Sequence, residues 1–194
     1  MDHWRYYLGA RLLELLGRKP AAIALYLVAL KSEPKFVRAQ NRLAYLLAAL
    51  NRFDDARAHF EHVLAADPSN AVAHFNLGFV LDKLGRFDAA IKAFREATHL
   101  NPKIDRAWYG LGLSFAALGQ HDEAAKALHE AATLQPMNPH AWYQLGMAHH
   151  TLQHTDKVTE VTMHLFRFDP RMTRRLIRDT ARADLEHLVK DLVV

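Results

Sequence analysis

The sequence predicts an all-α protein built from five helix-turn-helix repeats and a terminal capping helix, and three observations carry that prediction. Prolines stand at Pro34, Pro68, Pro102, Pro136 and Pro170, an unbroken spacing of 34 residues, and self-similarity at a fixed period marks a repeat architecture. Between successive prolines run two apolar-periodic segments of helical length, rich in Ala, Leu, Glu, Lys and Arg, the residues that lose least on entering a helix. In the first four copies a turn with Gly17, Asn51, Gly85 or Gly119 separates the two segments, and these residue types tolerate the left-handed conformation that ends a helix. The copies span residues 3–36, 37–70, 71–104, 105–138 and 139–172, and residues 1–194 are expected to form a single domain.

Within each copy the first segment ends at the turn. The second opens with Asp54, Asp88, Asp122 or Asp156, whose carboxylates are expected to accept from the free amides of the new helix and to favour its positive end. Proline then stops the copy, because it lacks an amide hydrogen and disfavours helical geometry in its predecessor. Gly78, Gly112 and Gly146 are expected to let helices approach closely, with Phe60, Phe94 and Trp108 filling the space beside them. The fifth copy departs from the others: Gln153 stands where glycine is expected, and Val158, Thr159, Val161 and Thr162 are modest helix formers. Its second helix is expected to be less ideal or displaced.

"AWYGLGLSFAALGQHDEAAKALHEAATLQP", from Ala107 to Pro136, closely resembles the tetratricopeptide repeat, whose pattern is W-x2-L-G-x2-Y, A-x3-F, P. Trp108, Leu111, Gly112, Phe115, Ala124, Leu128 and Pro136 fill those places, and Leu77, Gly78, Leu81, Ala90, Phe94 and Pro102 do so in the third copy. The second copy supplies Leu43, Ala44, Leu47, Ala56, Phe60 and Pro68, while the first is looser. The resemblance implies a right-handed α-solenoid of five such repeats. Residues 172–192 carry Met172, Leu176, Ile177, Ala181, Leu185, Leu188, Val189 and Leu192 on one helical stripe. That helix is expected to cap the open end, with Arg174, Arg175, Arg178 and Arg182 on its polar side as an alternative docking surface.

Composition narrows the function. There is no cysteine among 194 residues, which removes thiolate metal sites and catalytic thiols and fits a reducing cytoplasm. The first 20 residues resemble neither a signal peptide nor a membrane anchor, and no window holds the roughly 18 uninterrupted apolar residues of a span. The net charge of +4 and pI of about 9.4 invite a nucleic-acid reading. The basic excess, however, lies at the two ends: residues 1–36 carry +3 and 171–194 carry +2, whereas 105–138 carry −2. Nucleic acid is therefore not the expected partner. His150 and His154 have metal-ligand spacing, but no H-E-x-x-H, phosphate loop or G-x-S-x-G occurs. No metal, no cofactor and no catalysis are expected.

The resemblance implies a concave groove lined by the first helices, at positions that transfer onto a set of aromatic, cationic and amide residues. The expected peptide-binding residues are Tyr7, Arg11, Arg38, Asn41, Arg42, Tyr45, Phe75, Asn76, Phe79, Arg106, Tyr109, Tyr143 and Met147. Glu14 falls at one of the same positions. Aromatics bring large contact area at low entropic cost. Arg38, Asn41, Arg42, Asn76 and Arg106 are further expected to converge on an acidic segment, since arginine pairs bidentately with carboxylates. The carboxylate clamp of the chaperone-binding members is not expected, because Asn41, Tyr45 and Gly110 replace three of its residues. The expected function is a non-enzymatic scaffold for a protein or peptide segment. The alternatives are self-assembly through the fifth copy or the last helix, and service as the adaptor part of a larger enzyme.

Overall fold

The structure, a computed structural model, describes residues 2–190. Leu192, placed on the last helical stripe above, lies outside the described residues. Every regular element among them is helical: α1 (Asp2–Leu15), α2 (Lys19–Ser32), α3 (Val37–Ala49), α4 (Phe53–Ala66), α5 (Ala71–Lys83), α6 (Phe87–Leu100), α7 (Asp105–Ala117), α8 (His121–Leu134), α9 (Pro139–Thr151), α10 (Thr155–Phe166), α11 (Pro170–Asp179) and a 3-10 helix (Ala183–Leu188). They fall into two compact units, residues 1–100 and 101–194.

In the first unit α1 with α2, α3 with α4 and α5 with α6 form antiparallel hairpins, and α2 packs on α3 as α4 does on α5. Left-handed residues make the hairpin turns: Gly17, Gly85 and, with a side chain, Asn51 at φ 58°. The amide of each bonds back three residues, and the next amide bonds back five, as from Arg52 to Leu47 O at 2.9 Å. This closes the orphan carbonyls of the first helix. Tyr26, Phe60, Leu43 and Leu46 are fully buried in the core, and each is worth about 1.5–3 kcal/mol of transfer free energy. A methyl on Gly78 would lie 2.7 Å from the Phe94 ring, so glycine is what lets α5 sit on that ring.

The second unit repeats the scheme with α7 on α8, α9 on α10 and α8 on α9. Gln153 takes the glycine place at φ 60°, a conformation that costs a residue with a Cβ about 1–2 kcal/mol. The fifth hairpin differs as its sequence suggests. Its second helix, α10, has 12 residues where α8 has 14, and Thr162 stands where Leu128 fills the fourth. Thr162 is buried and bonds Val158 O at 2.7 Å. The space it leaves is filled by Leu176 of α11, whose methyls would lie 2.8 Å from a Cβ on Gly146.

Two expectations need correction. The aspartates at 54, 122 and 156 do not cap: the caps are Arg52, Gln120 and His154, without side-chain bonds. They stand inside the first turn, where their charge favours the helix dipole. Side-chain capping falls instead to Asn70, Asn138 and Asp169, at the starts of α5, α9 and α11. The terminal segment is also not one helix over 172–192. It breaks after Asp179, with Ala181 left-handed at φ 53°. The cause is Arg182, which pairs with Asp184 and donates to Thr155 O and Thr159 Oγ1 at 3.0 and 2.9 Å. These tertiary bonds outweigh local helical preference. Beyond the break Leu185 and Val189 fold back onto Ile177.

Candidate functional site

Residues three, four and seven apart share one face of a helix, and the first helices of the first unit use that face alike. α1 presents Trp4, Tyr7 and Arg11; α3 presents Arg38, Asn41 and Tyr45; α5 presents Val72, Phe75 and Phe79. Tyr45 is 53% exposed and Phe79 40%. Tyr7, Asn41, Phe75 and Asn76 are half-buried. Phe75 is anchored by the Phe94 ring at 6.2 Å, and Tyr7 by Tyr26 and Phe36 at 5.8 and 5.1 Å.

Cations lie over the open rings. The Arg38 guanidinium is 5.7 Å from Trp4, Arg42 is 5.7 Å from Tyr45, and Lys83 Nζ is 5.5 Å from Phe79. Each is within cation–π range and sets positive charge beside apolar surface. Lys83 was not legible from the positions implied by the resemblance, nor was Phe53, which backs Phe79 at 6.5 Å. The helical spacing of Phe79 and Lys83, four apart, is the signal that could have found the lysine.

Not every expected residue is available. Glu14 is nearly buried. Its carboxylate accepts from the Tyr26 hydroxyl at 2.9 Å and from Arg42, with Arg11 4.0 Å away. Burial first, and then Glu14, push the Tyr26 phenol well above its ordinary value. Glu14 thus ties α1, α2 and α3 together through Tyr26 and Arg42, and the Arg42 charge is met within the chain.

In the second unit Arg106 is exposed and Met147 half-buried. Tyr109 is half-buried with its hydroxyl bonded to Gln144; burial raises its phenol and Gln144 opposes that shift. Tyr143 is covered by the chain's own end. Its hydroxyl donates to Asp179 Oδ2 at 2.8 Å, and Arg175 stacks 4.6 Å from its ring. The expectation that Tyr143 faces a peptide is corrected by α11, which packs on α9. The arginines of α11 stay exposed while bonding within the chain: Arg178 donates to its neighbour Asp179 at 2.9 Å, and Arg174 to Val189 O at 3.1 Å.

A recurrent lock was also missed. The carbonyls of Pro34, Pro68, Pro102 and Pro136 accept from Gln40, His74, Trp108 and Trp142 at 2.9–3.1 Å. The side chain six residues on thereby pins each loop, which ties the tryptophans of the repeat pattern to loop geometry as well as to packing.

Helical hairpins recurring every 34 residues and packed one on the next within each unit define a repeat protein of the interaction-scaffold class. Tetratricopeptide repeat models match residues 36–103, 75–133 and 112–156, and the chain belongs to the tetratricopeptide repeat family. A comparison with curated proteins gives no match. Among solved structures, MamA is 22% identical with a TM-score of 0.76, over 89% of this chain and 96% of that one. YrrB, described as a TPR protein with an unusual peptide-binding site, is 23% identical at 0.79, over 89% and 90%. The pilF protein of Pseudomonas aeruginosa is 19% identical at 0.72, over 98% and 93%. At these identities the likeness carries the fold. No described helix is long and apolar enough to cross a membrane.

Proposed function

We propose that the chain is a non-enzymatic, cytoplasmic scaffold that holds a peptide or protein segment on the first-helix faces of its repeats. One observation carries this reading. Tyr45 and Phe79 stand at the same register position of consecutive first helices, α3 and α5, both open to solvent, with the Lys83 ammonium beside Phe79. Exposed aromatics of this kind anchor interfaces, because they bury much area while freezing few torsions. Arg38, Asn41, Asn76 and Lys83 suit a segment whose apolar side chains alternate with carboxylates. The peptide-binding site reported for YrrB supports the reading at the level of the fold. Self-assembly through the last helix has less support, since its apolar residues Leu176 and Ile177 are buried within the chain.

The test is to select peptides from a library on the intact protein and measure their affinity for the Tyr45→Glu/Phe79→Glu double variant. Both side chains are exposed, so the fold should persist. Affinity should fall at least about tenfold and should weaken with salt. Selected peptides that bind the variant as tightly as the parent would refute the proposal.

A further inference from the structure

The later repeats show what each first helix normally receives. Ala141 of α9 packs on Ala131 and Ala132 of α8, and Arg42 of α3 bonds Glu14 of the repeat before it. Ala39, Ala73 and Ala141 are fully buried at one register position of this stripe. Seven residues on, Leu46, Val80 and Ala148 are also buried. In each case a second helix lies on the stripe: α2 on α3, α4 on α5, α8 on α9.

On α1 those two positions are Arg5 and Leu12; Leu8 lies between them, Leu15 and Leu16 prolong the apolar surface toward the helix end, and no described helix covers it. Leu8, Leu12, Leu15 and Leu16 are 61, 59, 78 and 64% exposed. Their spacing sets them on one face, and a contiguous open leucine patch marks an interaction site rather than ordinary surface. The stripe is turned about 100° from Tyr7 and Arg11 on the same helix, so it is distinct from the peptide-binding face proposed above.

Charge selects the occupant. Arg5 stands where the later repeats bury an alanine, so whatever covers the stripe must bring it a carboxylate. Arg18 and Lys19 are exposed beyond the other end, against Asp2 alone among exposed acids of this helix, while Glu14 already holds Arg42. A second copy fits poorly: α1 laid antiparallel on its twin with Leu8 against Leu12 sets Arg5 against Leu15. We propose that this face docks an amphipathic helix of another protein, leucine-like on the buried side and acidic along its flanks.

The experiment uses two synthetic helices of about 20 residues, both with leucines at alternating three- and four-residue spacing, one flanked by glutamates and the other by lysines. Fluorescence anisotropy with the full chain should show the glutamate helix binding at least about tenfold tighter than the lysine helix. Leu12→Asp should abolish binding while leaving the thermal midpoint unchanged, as its side chain is exposed. Arg5→Glu should reverse the preference between the two helices, whereas Tyr45→Glu/Phe79→Glu should not change it. Equal binding of both helices, no binding, or indifference to Arg5→Glu would overturn the proposal. So would a concentration-dependent dimer broken by Leu12→Asp, which assigns the face to a second copy, or Leu12-dependent binding to phosphatidylserine vesicles in preference to the peptide, which assigns it to lipid.

Discussion

At Gly112 the packing leaves no room for a methyl group. A Cβ there would lie 2.6 Å from Leu128 Cγ and 3.3 Å from the backbone oxygen of Ala124. Gly112→Leu should therefore cost about 1–3 kcal/mol and lower the thermal midpoint; an unchanged midpoint would show that α7 and α8 give way more easily than their contacts indicate. His149 makes a pH-dependent case. Burial lowers its imidazole pKa, and His154 and then Lys157 lower it further. Its Nδ1 is buried without a partner. The unfolded chain therefore takes up this proton first as pH falls through about 6.5. Stability from this group is full above that value and is lost progressively below it. Urea midpoints measured from about pH 7.5 to pH 5 should fall less steeply in His149→Gln than in the parent; an equal slope would exclude the mechanism. The close approach at the glycines and the Phe94 ring beside Gly78 were legible in the sequence, but Trp108 was expected at this packing layer where Leu128 is what meets Gly112. The Glu14–Tyr26–Arg42 set was not, since its members come from three helices and no local pattern announces them.

Elements were the most legible scale where punctuation is chemical. Gly17, Gly85 and Gly119 end their helices because they accept a positive φ at little cost, and the sequence placed those turns correctly. The break at Ala181 escaped, because neither glycine nor proline marks it and the bonds of Arg182 that enforce it reach residues 23 and 27 positions away. The same helix, α11, compensates for the fifth repeat's small residue: Leu176 occupies the space beside Gly146 that Thr162 leaves. Leu176→Ala should open a cavity and cost about 2–5 kcal/mol, seen as a lower denaturant midpoint. A loss under about 0.5 kcal/mol, the range of ordinary surface substitutions, would mean that α11 merely rests on α9. The cover over Tyr143 comes from the same packing and was invisible to register, because counting positions within a repeat says nothing of a helix that lies beyond the last one.

For the molecule as a whole, the repeat makes stability local, a matter of each hairpin and its neighbours. Each hairpin hides its apolar side against a neighbour, so aromatic residues left open on α3 and α5 are not needed to close the core. Of the residues that the resemblance set on one face, Tyr143, Arg42 and Glu14 are engaged within the chain, which counting positions in a repeat could not show. The basic character is likewise a property of segments, with +3 in residues 1–36 against −2 in residues 105–138, and not of one continuous stripe along the chain. The most direct test of the account is a nuclear magnetic resonance titration of the intact protein with a library-selected peptide. Resonance shifts should concentrate at Tyr45, Phe79, Arg38 and Lys83. Shifts confined to second helices, with those four residues unmoved at saturation, would contradict it.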